Sequence, residues 1–342
     1  MRRCRAVTEV PALTAWVLTD GKAGDELQAL SIAEALGLEA EIRRVKPRPP
    51  FSWFMPFGPI DPRERPGAGQ SPLAPPFPDI AIASGRRAVP YLRLVKHASG
   101  GRTYTVFLKD PRTGPGIADF IWAPSYDRIT GPNVLKTLTS PHRITPDRLA
   151  RARHRPDPRL AALPEPRVAV LVGGDSRHHL FTEDDIARFG DRLSALAAGG
   201  ATLMMTASRR TPAALRRRLA NLAQAEGGFL WDGAGDNPYL DILALADGVV
   251  VTADSFNMVG EAAATGVPVL IYEPSGGHPK LAVFLDALKA KGIVHPFEGR
   301  LEGTPYKPLN STFDIATAIA QGVASHRRAL GLDRTPRGPE RH

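Results

Sequence analysis

Residues 243–274, LALADGVVVTADSFNMVGEAAATGVPVLIYEP, decide how this chain is read. The stretch starts with a short helical pattern and passes into the apolar run 248–252. It turns at Thr252-Ala253-Asp254-Ser255-Phe256-Asn257, continues as a helix of small residues and ends in a second apolar run, 267–272. Short apolar runs bounded by turn residues read as strands buried on both faces, the habit of a parallel sheet covered by helices. In open α/β sheets ligands bind beyond the carboxyl ends of the strands, and the polar turn stands at such an end. Seven residues after Asp254, Glu261 sits beside Ala262, Ala263 and Ala264. This is the arrangement of a site.

The same alternation extends outward. In the C-terminal half, strand 167–172 is followed by Gly173-Gly174-Asp175-Ser176-Arg177-His178-His179, and helix 182–198 is capped by Thr182 with acidic residues in its first turn. Strand 202–206 runs into Ser208-Arg209-Arg210-Thr211-Pro212. Helix 212–226, strand 228–231, helix 238–246, helix 256–265 and helices 278–291 and 312–330 complete this half. In the N-terminal half, strand 13–19 leads through Asp20-Gly21-Lys22-Ala23-Gly24-Asp25 into helix 26–36, ended by Gly37, and strand 39–45 follows. Strands 79–84, 103–108, 119–123 and 133–138 continue it, with Ser84-Gly85-Arg86-Arg87 and Lys109-Asp110-Pro111-Arg112 at strand ends. Residues 46–78 are rich in proline and contain FSWFMPFGP, which reads as an apolar surface loop near a substrate site or a mobile lid. The polar, proline-bearing stretch 139–166 reads as the connection between domains.

The expected fold class is therefore α/β, with two Rossmann-like domains facing across a cleft. Their expected bounds are 1–150 and 160–311, with helix 312–330 packing back toward the N-terminal domain. A length of 342 residues fits two cores. Net charge is +9, from 44 basic and 35 acidic residues. The excess sits in scattered arginines, such as Arg148, Arg151, Arg153 and Arg155, or Arg334, Arg337 and Arg341, which read as a solvated basic surface. No zinc finger, aromatic RNA-binding box or lysine-rich arm points to specific nucleic acid. Cys4 is the single cysteine, so an internal disulfide is excluded and a thiolate metal site nearly so. Residues 1–11 are basic but lack the apolar run of a signal peptide, and no stretch approaches the roughly 18 apolar residues of a spanning helix.

The loops carry the chemistry. The N-terminal turn is neither GxGxxG nor a Walker A loop, so nicotinamide dinucleotide binding is poorly supported. It reads either as a tight turn or as an acceptor contact. Gly173, Gly174, Ser176 and Arg177 suit a phosphate, while His178 and His179 lack a third partner for a metal. Ser208 and Arg209, with Arg210, suit a diphosphate. Ser255 or Asn257 caps the next helix, and Glu261 reads either as part of a solvated face or as a carboxylate able to accept two hydrogen bonds from a ribose diol.

The segments Thr19-Asp20-Gly21-Lys22-Ala23-Gly24-Asp25-Glu26-Leu27-Gln28, Gly173-Gly174-Asp175-Ser176, Thr206-Ala207-Ser208-Arg209-Arg210-Thr211, Asn237-Pro238-Tyr239 and residues 252–262 together resemble the family named after the plant mitochondrial fission protein ELM1. That family is related in fold to GT-B glycosyltransferases. The resemblance implies a GT-B-like, metal-independent sugar transferase with no cofactor beyond a nucleotide-sugar donor. On the donor side it implies Gly173, Gly174, Ser176, Ser208, Arg209, Asp254, Ser255, Asn257 and Glu261. On the acceptor side it implies the loop of Asp20, Lys22 and Asp25, with Asp20 or Asp25 as the base. A cell-envelope glycan or lipid-linked acceptor is the expected partner, with peripheral membrane contact through residues 49–60 and a cytoplasmic location at the inner face of the membrane. Plant members recruit a dynamin-related protein to the mitochondrial outer membrane, so the alternative is a non-catalytic GT-B-like adaptor that brings a protein partner to a membrane.

Overall fold

Apolar runs of five residues make the central strands of the first sheet. A computed structural model describes residues 13–332; Cys4, the basic N-terminal segment and Arg334, Arg337 and Arg341 lie outside the described residues. The strands are β1 (Ala15–Thr19), β2 (Ala40–Arg44), β3 (Ile80–Ser84), β4 (Tyr104–Leu108), β5 (Phe120–Pro124) and β6 (Val134–Thr137). All neighbours pair in parallel, in the order β2-β1-β3-β4-β5-β6. Every residue of β1, β3, β4 and β5 is buried, whereas the edge strands β2 and β6 are not. This is why the inner strands are largely apolar and β2, with the sequence AEIRR, is not.

Side chains alternate between two core layers, as a period of two requires. Val17, Ile82 and Val106 face helix α1 (Ala23–Ala35) through Ile32 and Ala33. Trp16, Leu18, Ala83 and Phe107 face the other side, where helix α2 (Val89–Ala98) brings Tyr91, Leu92 and Val95.

Residues 46–78 are anchored to the first unit. Met55, Ile60 and Leu73 are buried in the α2-side layer, and the fully buried Asp61 carboxylate takes a two-pronged pair from Arg48, at 2.7 and 2.8 Å. The Tyr91 hydroxyl also donates to Glu64. The Arg48 hydrogen bond holds the Asp61 carboxyl well below the usual carboxylate range, against the opposing pull of burial. A depressed folded value means that the ionised pair stabilises the fold above the unfolded value of about 4 and that this contribution is lost as pH falls below it. Thermal unfolding followed from pH 6 to 3 is expected to show a steeper fall for the native chain than for Asp61→Asn. Parallel curves would exclude the pair as a pH-dependent anchor.

The second unit begins at Arg143. The stretch read as a polar connection instead carries helices α3 (Pro146–His154), capped by Thr145, and α4 (Pro158–Ala161). Leu149 and Ala152 of α3 are buried, and its Arg153 guanidinium donates to the carbonyl of Ala244 at 2.7 Å. Two buried residues in a largely charged helix are a weak periodic signal, which explains why the segment reads as a connection.

The sheet strands of this unit are β7 (Arg167–Val172), β9 (Thr202–Ala207), β10 (Phe229–Trp231), β11 (Gly248–Thr252), β12 (Val269–Tyr272) and β14 (Val294–Pro296). A two-stranded antiparallel ribbon joins β8 (His179–Leu180) to β13 (Ser275–Gly276). The helices are α5 (Glu183–Ala198), α6 (Ala213–Ala225), α7 (Tyr239–Ala244), α8 (Phe256–Ala262) and α9 (Pro279–Lys289). Thr182 and Asp185 close a reciprocal capping box at α5. The parallel order is β10-β9-β7-β11-β12-β14, the doubly wound Rossmann order.

The chain then returns to the first unit with α10 (Ser311–Ala329). Ile315, Ile319 and Val323 enter the same layer as α1. The start of α10 is pinned by Thr312, which accepts from the His142 amide and donates to its carbonyl, both at 2.9 Å.

Candidate functional site

The Rossmann order places a switch point between β7 and β11, where connections leave in opposite directions and the strand-end loops part. The loops there are Gly173-Gly174-Asp175-Ser176 and Ala253-Asp254-Ser255, with Ser208-Arg209-Arg210-Thr211 beside them on β9. The sequence-predicted residues of the donor side are thus gathered at one end of one sheet.

Asp254 organises them. Its side chain is 0% exposed. One oxygen accepts from the Thr252 hydroxyl at 2.7 Å, and the other from the Gly174 amide at 3.0 Å and the Arg210 guanidinium at 3.0 Å. Arg210 continues to the carbonyls of Gly174 and Asp175, at 3.1 and 2.8 Å. The Gly173 amide donates to Thr252 at 2.8 Å, and the Thr211 hydroxyl donates to the Gly173 carbonyl. Both glycine amides are therefore spent inside the protein and do not cradle a phosphate. The glycines are needed for packing. A β-carbon at Gly173 would lie 2.0 Å from the Asp254 carboxylate, and one at Gly174 would lie 2.1 Å from the backbone of Arg210.

Ser176 is also turned inward, accepting from the amides of His178 and His179 at 3.2 and 3.1 Å. Ser208 accepts from the Arg210 amide at 3.2 Å, and Ser255 caps α8 through the Met258 amide at 3.4 Å. Asn257 stands in the first turn of α8. Arg177 and Arg209 are exposed and make no side-chain hydrogen bond or ion pair among the described residues. Sequence reasoning favoured Arg209 and did not separate it from Arg210, the brace. Adjacent arginines look alike until the loop decides which one turns to a buried acid.

Glu261 lies on α8 and is half-buried. Its Oε2 accepts from the Tyr239 hydroxyl at 2.6 Å, and its Oε1 has no protein partner. Burial raises the carboxyl above its usual value, with the Tyr239 hydrogen bond pulling the other way. Burial and the facing carboxylate also push the Tyr239 hydroxyl well up, so it remains a donor. This joins two sequence motifs, Asn237-Pro238-Tyr239 and the segment through Glu261, that are 22 residues apart.

The first unit has its own switch point, between β1 and β3. Asp20 follows β1; its side chain is 4% exposed and rests 3.4 Å from the Lys22 ammonium. Its Oδ1 is buried with no partner, as is the Ser84 hydroxyl at the end of β3. A buried polar atom left unpaired costs about 1–3 kcal/mol, so these two atoms mark a place where an added hydrogen-bonding group is favoured. Asp25 is held differently, by an ion pair with Lys109. Lys109 itself has a φ of 80°, a strained value for a residue with a side chain. Among the described residues no group of three or more His, Cys, Asp or Glu is arranged to hold a metal, and no helix is long and apolar enough to cross a membrane.

Comparison with known proteins adds a family. The family model described as Mitochondrial fission ELM1 matches residues 23–323. Mitochondrial fission protein ELM1 of Arabidopsis thaliana is 27% identical over 280 residues, 74% of this chain and 66% of that protein. Uncharacterized protein RP120 of Rickettsia prowazekii is 33% identical over 160 residues, 44% of this chain and 45% of that protein. The chain thus aligns with just under two thirds of the first relative's length and under half of the second's. Among solved structures, UDP-GlcNAc 2-epimerase from Neisseria meningitidis bound to UDP-GlcNAc aligns at TM-score 0.47 and 12% identity, over 95% of this chain and 96% of that one. MurG of Acinetobacter baumannii aligns at TM-score 0.47 and 13% identity, over the same shares. The family match covers most of the sequence, and the chain belongs to the Mitochondrial fission ELM1 family.

Proposed function

We propose that the second unit binds a nucleotide-sugar at its switch point and that the chain is a glycosyltransferase acting on a cell-envelope glycan or lipid-linked acceptor. The observation that carries this reading is Glu261: a half-buried carboxylate with one oxygen set by Tyr239 and the other unoccupied, on the helix that leaves the switch-point loop. A ribose diol offers two donors to such a group. Arg177 and Arg209, exposed on neighbouring loops, would meet the diphosphate charge in place of a metal. In the transfer step the acceptor oxygen bonds to the anomeric carbon, the carbon–oxygen bond to the diphosphate breaks, and the nucleoside diphosphate leaves with the electron pair. The acceptor's proton passes to a carboxylate. Of the two candidates Asp20 suits that role better, since Asp25 is engaged by Lys109.

Calorimetric titration with UDP-, GDP-, ADP- and CMP-sugars tests the reading. Saturable binding of one of them is expected; no binding to any, by a chain whose folding is verified, would overturn it.

The proposal includes contact with a membrane surface through residues 49–60. Trp53, Phe54 and Phe57 are 71%, 61% and 70% exposed within one short stretch. Large rings concentrated in this way suit a lipid–water interface, and the chain's net charge of +9 suits an anionic one. Sedimentation with phosphatidylglycerol vesicles is expected to carry down the native chain, and at least fivefold less of a Trp53→Ser/Phe54→Ser/Phe57→Ser variant. Equal sedimentation would remove this contact. Membrane binding without nucleotide-sugar binding would instead favour the adaptor reading.

A further inference from the structure

The switch point of the first unit holds a small basic pocket that nucleotide-sugar binding leaves unused. Asp20, Gly21, Lys22, Arg86 and Arg87 line a cavity of about 270 Å³. It sits where the loops after β1 and β3 diverge. Arg86 and Arg87 make no side-chain hydrogen bond or ion pair among the described residues. With Lys22 resting on Asp20, the lining carries two positive charges in excess. Helix α1 starts at Ala23, at the pocket's edge, and adds the partial positive charge of its N-terminus.

The backbone is shaped for close approach. Gly21 and Gly85 have φ of 85° and 93°, a region open to glycine at little cost. A β-carbon at Gly85 would come within 3.2 Å of Asp20 Oδ1. That oxygen and the Ser84 hydroxyl are buried polar atoms without protein partners at neighbouring strand ends. Such groups are normally satisfied, so the unpaired Asp20 oxygen, on a residue of the lining beside unpaired arginines, points to a ligand that brings its own donor. The cavity is below the roughly 300–1,000 Å³ of sites that enclose drug-sized ligands. It suits a headgroup and is too small for a whole nucleotide-sugar. Two guanidinium forks match phosphate oxygens in geometry as well as charge.

We propose that this pocket binds the phosphate or diphosphate of a second substrate, with Arg86, Arg87 and Lys22 on the phosphate oxygens and Asp20 beside an adjoining hydroxyl. Its meaning rests on the transferase reading, for which it names the acceptor class as a phosphate-bearing hydroxyl compound. The binding itself does not depend on that reading. The anion has two possible sources, a soluble sugar phosphate or a lipid-linked diphosphate.

The test is titration of the full chain with inorganic pyrophosphate, a sugar 1-phosphate and an isoprenyl diphosphate in detergent micelles. Pyrophosphate binding is expected. Arg86→Ala/Arg87→Ala should weaken it at least tenfold, with unfolding temperature and nucleotide-sugar affinity unchanged, and Arg86→Lys/Arg87→Lys should restore part of it. An isoprenyl diphosphate that binds at least tenfold more tightly than pyrophosphate identifies the lipid source; a tighter sugar phosphate identifies the soluble one. Arginine-dependent pyrophosphate binding in a chain that binds no nucleotide-sugar would uphold the pocket while the donor reading falls. Absence of pyrophosphate binding by the folded native chain would overturn the proposal. So would pyrophosphate binding that the double alanine variant leaves intact and Arg177→Ala/Arg209→Ala removes.

Discussion

Asp254→Ala is expected to destabilise the second unit by about 1–3 kcal/mol, the range for leaving a buried hydrogen-bonding group unsatisfied. The carboxylate is fully enclosed and joins three loops through the Gly174 amide, the Thr252 hydroxyl and Arg210. Alanine leaves these donors facing a void, and Arg210 loses the charge that holds it across the Gly174 and Asp175 carbonyls. Asp254→Asn keeps the volume and one acceptor, so it should fall between the native chain and alanine. Chemical denaturation read by circular dichroism measures both. A loss below about 1 kcal/mol for Asp254→Ala would show that the loops hold without it. Because Arg210 is half-exposed, Arg210→Ala should cost less.

Glu261→Ala is expected to weaken nucleotide-sugar binding about a hundredfold. Hydrogen bonds to a charged group contribute roughly 1.5–3 kcal/mol each, and tenfold in affinity corresponds to about 1.4 kcal/mol. Two bonds from a ribose diol therefore reach or exceed that loss. Tyr239→Phe removes only the hydroxyl that orients Glu261 and should cost about tenfold. Stability should move differently. Burial raises the Glu261 carboxyl above its unfolded value, so its ionisation disfavours the folded state as pH rises through that interval. At neutral pH Glu261→Ala should therefore change the unfolding temperature little, because relief of the buried charge offsets the lost acceptor of the Tyr239 hydroxyl. Binding lost together with a large drop in unfolding temperature would make Glu261 a structural residue; unchanged binding would remove it from the site.

This difference between affinity and stability separates Glu261 from Asp254, although both lay in the segment that first suggested a site. Asp254 has all its charge-assisted bonds inside the protein. Glu261 retains an oxygen with none. Their positions in a polar turn and an alanine-rich helix do not reveal this difference, because it depends on which loops come to lie against each carboxylate.

Legibility in the sequence follows the range of the interactions involved. Central strands such as β3 and β11 are apolar up to their last residue, helix α5 announces itself through Thr182 and Asp185, and strand-end loops follow from the alternation of strands and helices. These are contacts between residues a few positions apart, and they sufficed for two parallel α/β units and for the placement of the candidate loops at strand ends. Other features depend on residues far apart in the chain. The anchoring of residues 46–78 needs Arg48 against Asp61 and Tyr91 against Glu64. The helical character of residues 146–161 needs α7 to receive α3. Gly173 and Gly174 look like a phosphate loop in sequence, yet their amides are taken by Thr252 and Asp254, about 80 positions away. Local pattern determined the elements and the ends at which the loops lie. Only the tertiary structure decided which polar groups are consumed as braces and which remain unpaired at the two switch points, because hydrogen-bond satisfaction is settled by neighbours brought together through folding.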